Sequence, residues 1–120
     1  MAKDLRITFL LDFYGDMLTE KQREVVECYY NEDLSLAEIA EEKGITRQGV
    51  RDAIKRAEQQ MFEMEERLGL VRRFRTIRGQ LQQVTDAAQR ILDCNHRYCG
   101  PAEITEQARR IASLAEQLND

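Results

Sequence analysis

Three observations predict an all-α protein. The 120 residues are rich in Glu, Gln, Arg, Ala and Leu, good helix formers, and contain one proline. Apolar residues recur three and four apart through most of the chain, the period of one helix side. The breaks between these runs carry helix-end signals: Ser or Thr with Gln or Glu three residues later, and glycines just past the last apolar position.

The elements follow in order. From Leu5 to Leu18, Ile7, Leu10, Leu11, Tyr14, Met17 and Leu18 mark one face, widened by Phe9 and Phe13. Thr19 and Gln22 form a capping box, so a second helix runs to about Tyr30, and Asn31-Glu32-Asp33 is its exit. Ser35 and Glu38 repeat the box and open a short third helix, Leu36 to Lys43, with Leu36, Ile39 and Ala40 inward and Gly44 as its stop. Thr46 caps a fourth helix whose inward positions, Val50, Ile54, Ala57, Met61, Met64 and Leu68, alternate steps of 4 and 3, a heptad stripe long enough to project as a stalk. Gly69 breaks the phase. A new stripe runs through Leu70, Phe74, Ile77, Leu81, Val84, Ala88 and Ile91, and after the Gly100-Pro101 turn a shorter one follows: Ile104, Ala108, Ile111, Ala115 and Leu118. Two antiparallel helices bury both stripes in this reading, against the first helix or a second subunit. The expected division is a helical domain with its N-terminal helix at 1–68 and a C-terminal helical hairpin at 69–120, serving packing or dimerisation.

Composition narrows the function. A net charge of −4 and a pI near 5.1 oppose nucleic-acid binding by bulk charge, so any such site is local. No apolar run approaches the roughly 20 residues that span a bilayer, and the start lacks a secretory apolar region, which makes the cytoplasm the expected location and a membrane an unexpected partner. Three cysteines without a signal peptide read as reduced thiols. No glycine-rich phosphate loop or Ser/His/Asp set appears, so neither catalytic residues nor a cofactor is expected. Cys94, His96 and Cys99 offer a metal half-site without a fourth ligand nearby, and no metal is assigned to them.

The stretch from Ser35 to Ile54 carries the functional reading. Ala40 is small where two helices cross, Gly44 can take the left-handed conformation of a tight turn, and Ile45, Val50 and Ile54 fill the wedge between the helices. Two helices joined by such a turn form the unit whose second helix enters the DNA major groove. With Val50 inward, Gln48, Asp52, Lys55 and Gln59 point away, with Arg51 and Arg56 on the flanks. The candidate nucleic-acid-binding residues are Arg47, Gln48, Arg51, Lys55 and Arg56: arginine and glutamine can read base edges, and Lys55 and Arg56 can hold phosphates. Asp52 and the acidic Glu24, Glu27, Glu32, Asp33, Glu38, Glu41 and Glu42 oppose them.

The run Leu18-Thr19-Glu20-Lys21-Gln22-Arg23, with Ser35 to Ala40 and Thr46 to Val50, resembles region four of bacterial sigma factors. With Phe13-Tyr14, Tyr29-Tyr30 and Asp52-Ala53-Ile54-Lys55-Arg56 added, the chain resembles the YlxM family of small helix-turn-helix proteins over roughly residues 5 to 68. The resemblance implies a bacterial cytosolic protein tied to the signal recognition particle pathway, with that particle's GTPase or RNA as partner. Two readings are carried forward: a nucleic-acid-binding regulator, DNA or RNA, and an adaptor that docks the GTPase. A further basic patch, Arg72, Arg73, Arg75 and Arg78, lies in a window from 67 to 80 that has no acidic residue. Long heptad stripes on so short a chain point to a homodimer.

Overall fold

A computed structural model describes residues 2–119. These form six α-helices and one 3₁₀ turn, with no strand among the described residues: α1 (Arg6–Tyr14), the turn (Gly15–Met17), α2 (Glu20–Tyr30), α3 (Leu36–Lys43), α4 (Arg47–Leu68), α5 (Leu70–Arg97) and α6 (Ala102–Asn119). The helix starts are made by the side chains the sequence points to. Thr19 Oγ1 accepts from the Gln22 N–H at 3.2 Å while Gln22 Oε1 accepts from the Thr19 N–H at 3.1 Å. Ser35 and Glu38 exchange the same pair of bonds at 3.1 and 3.2 Å. Each box satisfies two backbone donors that a helix N-terminus otherwise leaves open.

The chain divides into two compact units, residues 1–71 and 72–120. The first has two apolar clusters. In one, Ile7, Leu10, Leu11 and Tyr14 of α1 close over Val26 of α2, Ala57 and Met61 of α4, and Val71. In the other, Val25, Cys28 and Tyr29 of α2 and Ile39 and Ala40 of α3 pack on Val50 and Ile54 of α4. Tyr30 packs against both clusters; its hydroxyl donates to Glu58 Oε1 at 2.6 Å and accepts from the Asp4 N–H at 3.3 Å. Burial of a side chain such as Ile39 or Ile54 contributes roughly 1.5–3 kcal/mol. Together the clusters hold α4 as the central rod of this unit.

Three expectations are corrected here. The second half of α4 is not a projecting stalk, because α1 lies along Ala57 and Met61; Met64 is only half-buried and Leu68 is 52% exposed. The first helix stops at Tyr14, and the following 3₁₀ turn brings Leu18 into the core while leaving Met17 61% exposed. Ile45 does not fill the wedge, which Ile39, Val50 and Ile54 close without it.

In the second unit α5 and α6 form a helical hairpin. Its turn is held by Asn95, whose side-chain amide donates to the Pro101 carbonyl and to Thr105 Oγ1, both at 2.8 Å, and whose backbone carbonyl accepts from the Gly100 N–H at 2.9 Å. A Cβ on Gly100 would collide with the Asn95 amide, so a larger residue there would displace the side chain that holds this turn. The stripes expected to be buried are covered only in part. Among the described residues of this unit those removed from solvent are Ala88, Ala108 and Ala115, whereas Ile77, Val84, Ile91, Ile104 and Ile111 remain more than two-fifths exposed. Two helices alone have one line of contact, and small residues occupy it.

Candidate nucleic-acid interface

The site is built from the turn outward. Gly44 ends α3 at φ 67° and ψ 32°, the left-handed conformation, with its N–H on the Ala40 carbonyl. Two residues later Thr46 caps α4, its Oγ1 accepting from the Gly49 N–H at 2.9 Å. A Cβ at Gly49 would stand 3.1 Å from that oxygen, so glycine leaves room for the cap. The three-residue turn, Gly44 to Thr46, sets α4 across α3, and Ile39, Val50 and Ile54, all fully buried, fix the crossing.

With Val50, Ile54, Ala57 and Met61 turned inward, the opposite side of α4 is open. Arg47, Gln48, Arg51, Lys55 and Arg56 are all exposed on its first three turns. Arg47 and Lys55 are eight residues apart, about 12 Å of helix, comparable with the width of the DNA major groove. Among the described residues none of Arg47, Arg51, Lys55 and Arg56 has a carboxylate within ion-pair distance. Gln48 is engaged instead, its Nε2 donating to Asp52 Oδ1 at 2.8 Å. That bond occupies one acceptor of the single acidic residue within this face.

The acidic flank is largely employed in structure. Glu24 pairs with Lys43 at 3.1 Å, Glu27 with Arg23 at 2.9 Å, Asp33 with Lys3, and Glu38 closes its capping box. The Lys3 ammonium holds the Asp33 carboxyl below its ordinary range. Cys28 is a core residue, its thiol pushed up first by burial and then by Glu32.

The other candidates are separate. Arg72, Arg73, Arg75 and Arg78 are exposed at the start of α5 in the second unit. Arg72, Arg75 and Arg78, three apart, share one side of the helix, and Arg73 is turned about 100° from Arg72. Cys94 and His96 do not converge: Cys94 lines one cleft of the hairpin with Ile91, Tyr98 and Ile104, and His96 lines another with Asp93, Arg97 and Arg109. Among the described residues no group of three His, Cys, Asp or Glu could hold a metal, and no helix is long and apolar enough to cross a membrane.

One feature of the first unit escaped the sequence reading. Lys21 and Val25 of α2, Lys43 of α3, Ile45 and Ala53 line a cleft of about 270 Å³ with an apolar floor. Ile45 is 46% exposed in it.

Comparison with known proteins agrees with this geometry. The UPF0122 family model, described as "Putative helix-turn-helix protein, YlxM / p13 like", matches residues 1–98. A UPF0122 protein of Thermoanaerobacter sp. strain X514 is 44% identical over 115 residues, covering 96% of this chain and 95% of that protein. One from Halalkalibacterium halodurans is 47% identical over 90 residues, 75% of this chain and 83% of its own. One from Desulforamulus reducens is 55% identical over 69 residues, 58% of this chain and 59% of its own.

Proposed function

The chain belongs to the UPF0122 family of YlxM/p13-like helix-turn-helix proteins, and on that premise we propose that it is a nucleic-acid-binding regulatory protein of the bacterial cytoplasm, acting as a homodimer in the signal recognition particle pathway. The observation that carries this reading is the exposed outer side of α4, where Arg51 and Lys55 stand between Arg47 and Arg56 at the flanks, none with an ion-pair partner among the described residues, over a buried apolar side. Arg51 and Gln48 are suited to base edges, Gln48 after exchanging Asp52 for a base, and Lys55 and Arg56 to phosphates. Arg72, Arg73, Arg75 and Arg78 add a second set of phosphate contacts. Work of this kind is recognition and requires no cofactor.

The test is fluorescence anisotropy with genomic duplex fragments and with the particle's RNA at several salt concentrations. Affinity is expected to fall steeply with salt, and Arg51→Ala with Lys55→Ala to weaken binding by about tenfold or more while flattening the salt slope by roughly one unit for each phosphate no longer held. Failure to bind any duplex or the RNA even at low salt would sink the reading.

A second reading has its own observation, the cleft bounded by Lys21, Lys43 and Ile45. An apolar floor whose rim carries Lys21 and the Lys43–Glu24 pair suits a protein surface better than a nucleic acid. On this reading the chain is an adaptor that docks the particle's GTPase and modulates it. A pull-down that retains the GTPase after nuclease treatment, and loses it in Ile45→Glu, favours the adaptor; loss on nuclease treatment alone favours the regulator.

A further inference from the structure

In the second unit the contact line between α5 and α6 passes through Ala88, Leu92, Ala108 and Ala115. The large apolar residues lie beside that line. On α5 they are Ile77, Val84 and Ile91, and on α6 Ile104, Ile111 and Leu118, each row seven residues apart and turned about 20–80° from the seam. Both rows turn in the same rotational sense, and in an antiparallel pair that places them on the same side of the hairpin. Ile91 and Ile104 accordingly line one cleft together. The other side carries Gln89, Asp93, His96, Thr105 and Arg109. The hairpin thus has one apolar face and one polar face.

The apolar face is open. Its six row residues are 42–72% exposed, and Leu114 and Tyr98 beside them are 51% and 73% exposed. At roughly 170 Å² for a large apolar side chain, the exposed fractions amount to about 700 Å². A stable protein pair buries about 800 Å² on each partner. Beside the α5 row stand Gln80, Ala87 and Cys94 and beside the α6 row Gln107 and Leu114, with the charge of Arg90 at the edge of the cleft that Ile91 and Ile104 line. Interface centres are depleted of charge in this way. The two rows are alike, each a β-branched or leucine side chain every seven residues, so the face is complementary to itself across a two-fold axis.

We infer that this face packs against the same face of a second copy, closing a four-helix bundle from two hairpins. The bundle supplies what a two-helix unit lacks, a second layer over the Ile, Val and Leu rows. The inference rests on the homodimer proposed above and is independent of what α4 binds.

Sedimentation equilibrium of the full chain up to about 200 µM tests it. The wild type is expected at twice the 14.0 kDa chain mass, Ile91→Glu with Ile111→Glu at the single-chain mass with its helical circular dichroism kept, and the polar-face variant Gln89→Ala with Arg109→Ala at the double mass. A monomeric wild type overturns the homodimer itself. A wild-type dimer that survives Ile91→Glu with Ile111→Glu overturns the choice of face and leaves the homodimer standing. Where the charged pair loses helix, Ile91→Thr and Ile111→Thr replace it; each is expected to raise the dimer dissociation constant about tenfold, and an unchanged constant rejects the face.

Discussion

In residues 1–71 the side chains removed from solvent include Ile7, Tyr14, Ile39, Ile54 and Met61; among the described residues of 72–120 they are three alanines. Both units are helical and both carry apolar residues at helix spacing. They differ in the number of layers. Three helices close around α4 in the first, so an apolar side chain there meets neighbours on several sides, whereas each helix of the hairpin has one neighbour and one line of contact. A stripe of regular spacing therefore states that a helix has something to bury, and the count of surrounding helices decides whether the same chain buries it.

The largest effect that would break this contrast is a pair of truncations. Ile54→Ala, at a site with no exposure, is expected to cost about 3–4 kcal/mol, and Ile111→Ala, 44% exposed, less than about 1 kcal/mol in dilute protein, both by urea unfolding followed by circular dichroism. Equal costs would mean that the hairpin has a core of its own. At high protein concentration the Ile111 cost should grow and the Ile54 cost should not.

The polar contacts of the first unit give the next effect. The Tyr14 hydroxyl donates to Glu65 Oε1 at 2.7 Å and accepts from the Leu70 N–H at 3.2 Å, so Tyr14→Phe is expected to cost about 1–3 kcal/mol. Both Tyr14 and Tyr30 are held above the ordinary tyrosine value of 10.0, by burial first and then by Glu65 and Glu58 respectively. The folded protein keeps these protons after the unfolded chain would release them. Their contribution is therefore complete below about pH 10 and is lost as the pH rises from there towards the folded values. Urea titrations between about pH 8 and 11 should show stability falling at the alkaline end, less steeply in Tyr30→Phe. A slope that does not change in that variant would remove Tyr30 as its source.

The smallest effect has the opposite sign. Gly79 lies within α5 with nothing within 4 Å of an added Cβ, and Gly79→Ala is expected to stabilise the hairpin by about 0.5–1 kcal/mol. A neutral or destabilising result would show that the glycine accommodates a close approach, as a partner helix would make.

Local chemistry in the sequence carried most of the fold. The Thr19 and Ser35 boxes, the left-handed Gly44 and the cap at Thr46 involve residues within four positions of each other, and their geometry follows from residue type. The same holds for the exposure of Arg47, Gln48, Arg51, Lys55 and Arg56, which the phase of Val50 and Ile54 dictates. What the sequence did not carry depends on distant neighbours. Periodicity alone gave no reason for α1 to lie on Met61, so α4 read as a stalk. Met17 and Leu18 both fit the first stripe, and a 3₁₀ turn admitted one of them. The acidic residues read as an electrostatic obstacle because their partners, Lys3, Arg23 and Lys43, stand on other elements or another turn.

Beyond Gly69, which ends α4 at φ 63°, the first backbone donors of α5 are met by the first unit: Leu70 N–H by the Tyr14 hydroxyl and Val71 N–H by Glu65 Oε1 at 3.0 Å. Starting a helix is its slow and unfavourable step, and extending it is fast. Here the start is prepaid, because the two acceptors are in place once α1 and α4 have packed. A ribosome delivers those helices before residues 72–97, so the 28-residue α5 can grow from a seed already set as its residues emerge. Tyr14 and Glu65 thereby give the chain an order of assembly, from its first helix towards its last.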